Sequence, residues 1–169
     1  MNIREALAAE HSIRTTNAIV EYIGSDAARF TELVEIFLGD EYRSTQRAAW
    51  PLGYCVQLHP EIVKPHLTKL VDQLERDDVH DAVIRNVTRL LQYVEIPENL
   101  QGKVLDICFR MVDDPSVPVA ARVYAMTTAA RIAHDQPDLI RELRLIVEKH
   151  KATAKPAYLN RAKHVLAVA

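Results

Sequence analysis

The sequence predicts an all-α protein, an α-α superhelix of about four stacked helix pairs preceded by an N-terminal helical segment. Three observations predict it: a helix-favouring composition, prolines and glycines that fall between helix-periodic segments, and arginines that recur at a spacing near 40 residues. Four glycines in 169 residues leave little of the turn chemistry that many short strands require. Hydrophobic residues at 49% and charged residues at 26% exclude a disordered chain.

In chain order, a turn of helix is expected near 3–9, then helices at about 12–23, 26–38 and 41–58. Gly24 and Gly39 follow two of these segments, where a residue without a Cβ can close a helix. Helices are expected next at 61–76, 80–94, 98–112, 117–134, 138–150 and 156–168. Pro60, Pro97, Pro115, Pro137 and Pro156 each stand just before or inside the first turn of a segment, where the missing N–H costs nothing. Within segments the apolar residues are three or four apart, as in Val63, Leu67, Leu70 and Leu74, or Leu100, Val104, Ile107 and Met111, which marks one helical face.

Arg47, Arg85, Arg122 and Arg161 are separated by 38, 37 and 39 residues. Each lies in the second helix of a pair, and a two-helix period of this length is the mark of a stacked repeat. One domain over 1–169 is expected, with pairs at about 26–58, 61–94, 98–134 and 138–168. The stretch from Val104 through Asp113-Asp114-Pro115 to Val119-Ala120-Ala121-Arg122 resembles the HEAT repeat: an apolar first helix, an aspartate-containing turn, then small residues and an arginine opening the second helix. Pro65 resembles the proline that bends the first helix of many HEAT units.

Gln46-Arg47-Ala48-Ala49-Trp50-Pro51 is similar to short bacterial HEAT-like proteins, some of which are labelled adenylosuccinate lyase. The residues speak against lyase chemistry, because the chain has neither Gly-Ser-Ser nor Met-Pro of that superfamily's mobile loop. GxSxG, Walker and GxGxxG motifs are also missing, so no catalytic residue and no cofactor is expected. The seven histidines include no HExxH or i, i+4 pair, so no metal site is expected. Cys55 and Cys108 read as reduced core residues. Asp77-Asp78 and Asp113-Asp114 read as caps.

The HEAT resemblance implies that the repeating arginines Arg47, Arg85 and Arg122 form a structural ladder with the aspartates of the preceding turns. It also implies that the second helices line a concave face. Those helices carry Arg43, Arg47, Arg85, Arg89, Arg122, Arg131, Lys155, Arg161 and Lys163 against Asp40, Glu41 and Asp81, so a basic groove is expected in a chain of net charge −2. Arg89, Arg131, Arg161 and Arg43 are the candidate binding residues, with Trp50, whose neighbour Pro51 either shapes a pocket beside it or merely bends the helix while Trp50 fills the core.

The expected function is a non-enzymatic binding or scaffold module whose basic face takes an acidic protein segment. The alternative is a HEAT-like nucleic-acid-binding protein or DNA glycosylase, because one family of alkylpurine DNA glycosylases also uses HEAT-like repeats with a basic concave face. A charged N-terminus and the lack of a run of about 20 apolar residues argue against a signal peptide or membrane span, so a cytoplasmic location is expected. The apolar ending His164-Val165-Leu166-Ala167-Val168-Ala169 suggests a possible homodimer.

Overall fold

The structure, a computed structural model, describes residues 1–167. The expected helix to 168 and the apolar ending at Ala169 reach beyond the described residues. All regular secondary structure among the described residues is helical, with no strand. They form two compact units, Met1–Val94 and Glu95 onward.

The first unit contains α1 (Ile3–Ala9), α2 (Ile13–Ile23), α3 (Ala27–Phe37), α4 (Tyr42–Leu58), α5 (Leu67–Asp72) and α6 (Asp81–Leu90). Local chemistry sets their ends. Asn2, Ser12 and Asp26 each accept a main-chain N–H from the first turn they precede, satisfying donors that have no intrahelical partner. Gly24 closes α2 at φ +50°, where a Cβ would be strained. The single helix expected over 61–76 is replaced by a 3-10 segment, Pro60–His66, then α5 and a 3-10 turn, Gln73–Glu75. Pro60 and Pro65 both remove N–H groups from that stretch, and apolar spacing alone does not distinguish the tighter winding.

At the centre of this unit, α4 packs against α1, α2, α3, α6 and the 3-10 segment. Phe30, Leu33 and Phe37 of α3 meet a core completed by Ile19, Ile23, Leu52, Val56 and Leu70, all almost fully buried. Each such side chain contributes about 1.5–3 kcal/mol by leaving water. Pro51 is buried inside α4, and the helix runs through it.

The second unit contains α7 (Glu98–Asp113), α8 (Val119–Ile132), α9 (Pro137–His150) and α10 (Pro156–Val165). The α7–α8 hairpin is its most extensive packing; α10 lies on α8 and α9 on α7. On its buried faces α8 carries Ala121, Ala125, Ala129 and Ala130. Such small side chains let neighbouring helices approach closely on two sides. Cys55 and Cys108 are buried and unpaired, and burial pushes both thiols up to about 12.

Candidate interaction surface

The buried residues of α4 occupy one arc of the helix: Ser44, Thr45, Ala48, Ala49, Pro51, Leu52, Cys55 and Val56. The opposite arc carries Arg43, Arg47, Trp50, Tyr54 and Leu58, spaced four, three, four and four apart, which is one helical face. Trp50 is 42% exposed, Tyr54 37% and Leu58 64%. The alternative in which Trp50 fills the core is therefore corrected. Pro51, one position on and turned by about 100°, takes the buried side. The Trp50 ring lies 4.9 Å from that of His11, so the link between α1 and α2 flanks the arc.

Charge follows the same line. No acidic residue occurs in α4. Arg43 is exposed, and its guanidinium has no hydrogen bond or ion pair among the described residues. On α6, the helix packed beside α4, Arg85 is exposed, Arg89 is half-buried, and both guanidinium groups are likewise unpaired among the described residues.

Two of the three arginines expected to pair with turn aspartates have other partners. Arg47 donates through Nη1 to the carbonyls of Leu7 and Ala8 at 2.7 and 2.8 Å, the last turn of α1. Arg122 is 6% exposed and donates through Nε and Nη2 to the Val112 carbonyl at 3.2 and 2.7 Å, the last turn of α7. Both act as C-terminal caps, placing a cation where carbonyls lack intrahelical donors and the helix dipole is negative. Arg29 treats α2 in the same way, donating to the Tyr22 carbonyl at 2.6 Å. Arg85 caps nothing and pairs with nothing among the described residues, so the ladder reading is corrected to main-chain capping by Arg47 and Arg122 alone.

Asp113 instead accepts from Lys149 Nζ at 2.8 and 2.9 Å and lies 2.7 Å from His150 Nε2. These bonds hold its carboxyl below the usual carboxylate range. The Tyr158 hydroxyl donates to the Val112 carbonyl at 3.2 Å, and the Arg122 guanidinium carbon stands 4.4 Å over the Tyr158 ring.

Of the remaining candidates, Arg161 donates to Thr127 Oγ1 at 3.1 Å and is half-buried. Arg131 lines a surface cavity of about 480 Å³ with Glu95, Gln101 and His134. Burial lowers its pKa, opposed by nearby Cys108 and Glu95. The structure thus brings Arg43 and Trp50 together on α4, puts Arg89 on the adjacent helix of the same unit, and places Arg131 and Arg161 in the other unit. Sequence reasoning passed over Tyr54 and His11. The heptad-like run from Arg43 to Leu58 was the available signal for Tyr54; His11, in a link between helices, left none.

Among the described residues no group of His, Cys, Asp and Glu is gathered that could hold a metal ion. No described helix is long and apolar enough to cross a membrane.

Within the first unit α4 packs on α6, and within the second α8 packs on α10, so second helices of consecutive pairs lie side by side as in a helical-repeat protein. The family model of the HEAT repeat domain matches residues 3–168, and the chain belongs to that family. HEAT repeats generally mediate protein interactions, so membership of the family suggests a protein-binding scaffold. No curated protein and no solved structure matches the chain.

Proposed function

We propose that the protein is a non-enzymatic binding module that takes an acidic segment of a partner protein on the outward arc of α4, with Arg89 of α6 contributing. The observation that carries this reading is the arc itself: unpaired Arg43 beside exposed Trp50 and Tyr54 on a helix free of acidic residues. Tryptophan, tyrosine and arginine are the residue types enriched where binding energy concentrates. A guanidinium with no internal partner keeps its donors for a carboxylate. Within the second unit, taken by itself, Arg131 and Arg161 are the proposed binding residues. There Arg161 has donors beyond the one given to Thr127.

Trp50 is the sole tryptophan, so its emission reports occupancy of the arc directly. A glutamate-rich peptide carrying aromatic residues is expected to change that emission in a saturable way. The affinity should fall as salt rises, and Arg43→Ala combined with Arg89→Ala should weaken it at least tenfold. An unchanged Trp50 signal at millimolar peptide sinks the proposal. The same aromatics could stack bases, so single-stranded and duplex DNA are the control titrations. Tighter binding of DNA than of peptide moves the function to nucleic acid.

A further inference from the structure

Among the described residues no carboxylate hydrogen-bonds Arg122. Its Nε and Nη2 share one neutral acceptor, the Val112 carbonyl, and the guanidinium lies against Tyr158. Asp113 is taken by Lys149 and His150. Asp114 is exposed and holds the Ser116 N–H at 2.8 Å; its charge reaches Arg122 without a hydrogen bond between them. A guanidinium so nearly buried is costly unless something anionic compensates it.

Arg122 also lines a cavity of about 220 Å³, walled by Pro118, Val119, His150, Ala154 and Lys155. At ~30 Å³ per water, this is room for a small oxyanion and part of its hydration. The starts of two helices border it. Neither α8 nor α10 has a side-chain cap or an acidic residue in its first turn, and the N–H groups there have no intrahelical acceptor. Lys155, the residue preceding α10, is exposed and its ammonium is unpaired among the described residues.

We propose that this cavity is an anion site that takes a phosphate group, held by Arg122 and Lys155 with main-chain N–H groups at the starts of α8 and α10. A planar guanidinium and a point-charge ammonium border the space, and the starts of α8 and α10 reach it at Val119 and Lys155. A tetrahedral dianion can accept from all of them, whereas a planar carboxylate has fewer oxygens to offer. Asp114 partly screens Arg122 and leaves the cavity itself without an acidic wall.

The test uses the full chain and inorganic phosphate, with sodium chloride exchanged to hold ionic strength constant. Amide signals of Val119, Ala120, Ala121 and Ala157 are expected to move in a saturable way, and acetate should bind at least tenfold more weakly. Lys155→Glu should weaken phosphate at least tenfold while leaving the melt in phosphate-free buffer unchanged. Arg122→Gln, if it folds, should abolish the response. Shifts scattered over the surface, equal binding of acetate, or an unaltered Lys155→Glu variant would overturn the site. A phosphoserine peptide titrated in parallel assigns the source of the group: binding tighter than inorganic phosphate places it on a protein, and weaker binding on a free ion.

Discussion

Replacing Arg122 by methionine and by alanine separates the value of its charge from that of its volume. Its charge-assisted bonds to the Val112 carbonyl are worth about 1.5–3 kcal/mol, and its stacking on Tyr158 about 2 kcal/mol in a desolvated setting. Removing the charge also relieves a desolvation penalty of several kcal/mol, so the two largely offset. The Val112 carbonyl keeps the Tyr158 hydroxyl and is not orphaned. Arg122→Met, which retains the stem, should therefore cost about 1 kcal/mol. Arg122→Ala also empties the buried space of the stem, as in Met→Ala changes that cost about 2–5 kcal/mol, and a total near 3–4 kcal/mol is expected. For a chain of this size that is a fall of about 6–15 °C in Tm, against about 2–4 °C for methionine. Exposed, unpaired Arg85→Ala is the control and should stay within about 0.5 kcal/mol. Thermal and urea unfolding at neutral pH measure all three. An Arg122→Ala variant as stable as the control would refute the packing role of the buried stem, and a methionine variant as damaged as the alanine one would show that charge and not volume sets the cost.

Asp113→Asn tests the bonds from Lys149 and His150. Since the folded carboxyl titrates below its ordinary value, its contribution is fully present above about pH 4 and disappears as pH falls through the folded value. The variant should lose about 1 kcal/mol at pH 7, and the deficit should shrink as the pH falls below about 4, read from urea midpoints against pH; a deficit independent of pH contradicts the assignment. Cys55 and Cys108, buried and raised to about 12, should react with a disulfide reagent at pH 8 only as fast as the chain opens, and rapid labelling of folded protein would contradict their burial. Emission from Trp50 should be red-shifted and readily quenched by acrylamide, whereas a blue-shifted, protected signal would return it to the core.

Most helices were legible because proline and glycine mark ends locally and the 3,4 spacing of apolar residues marks faces locally. The segment after Pro60 was misread for the same reason: Val63, Leu67, Leu70 and Leu74 are apolar at spacings an α-helix and a 3-10 segment both tolerate. Arginine periodicity found Arg47 and Arg122, but their acceptors are main-chain carbonyls, which every residue possesses and no letter of the sequence advertises. Asp113 was visible as a turn residue, yet its partners Lys149 and His150 lie 36 and 37 residues away, a separation set by packing of α9 on α7. Trp50 beside Pro51 reads as a core pair until the 100° turn per residue is applied to each separately. The basic, aromatic arc of α4 was in the sequence throughout, at four-three-four spacing.

The Val112 carbonyl collects Arg122 from the helix that follows it and Tyr158 from the last helix of the unit. Repeat arrays are usually treated as modular, open to shortening or recombination at any boundary. This oxygen removes one such boundary. A chain cut between α8 and α9 would leave Arg122 stripped of its stacking partner and Val112 with one donor fewer. Recombination that exchanges the final helix pair for another must supply an aromatic hydroxyl at the place of Tyr158. The α9–α10 pair is thus tied to the α7–α8 pair, as a block of two.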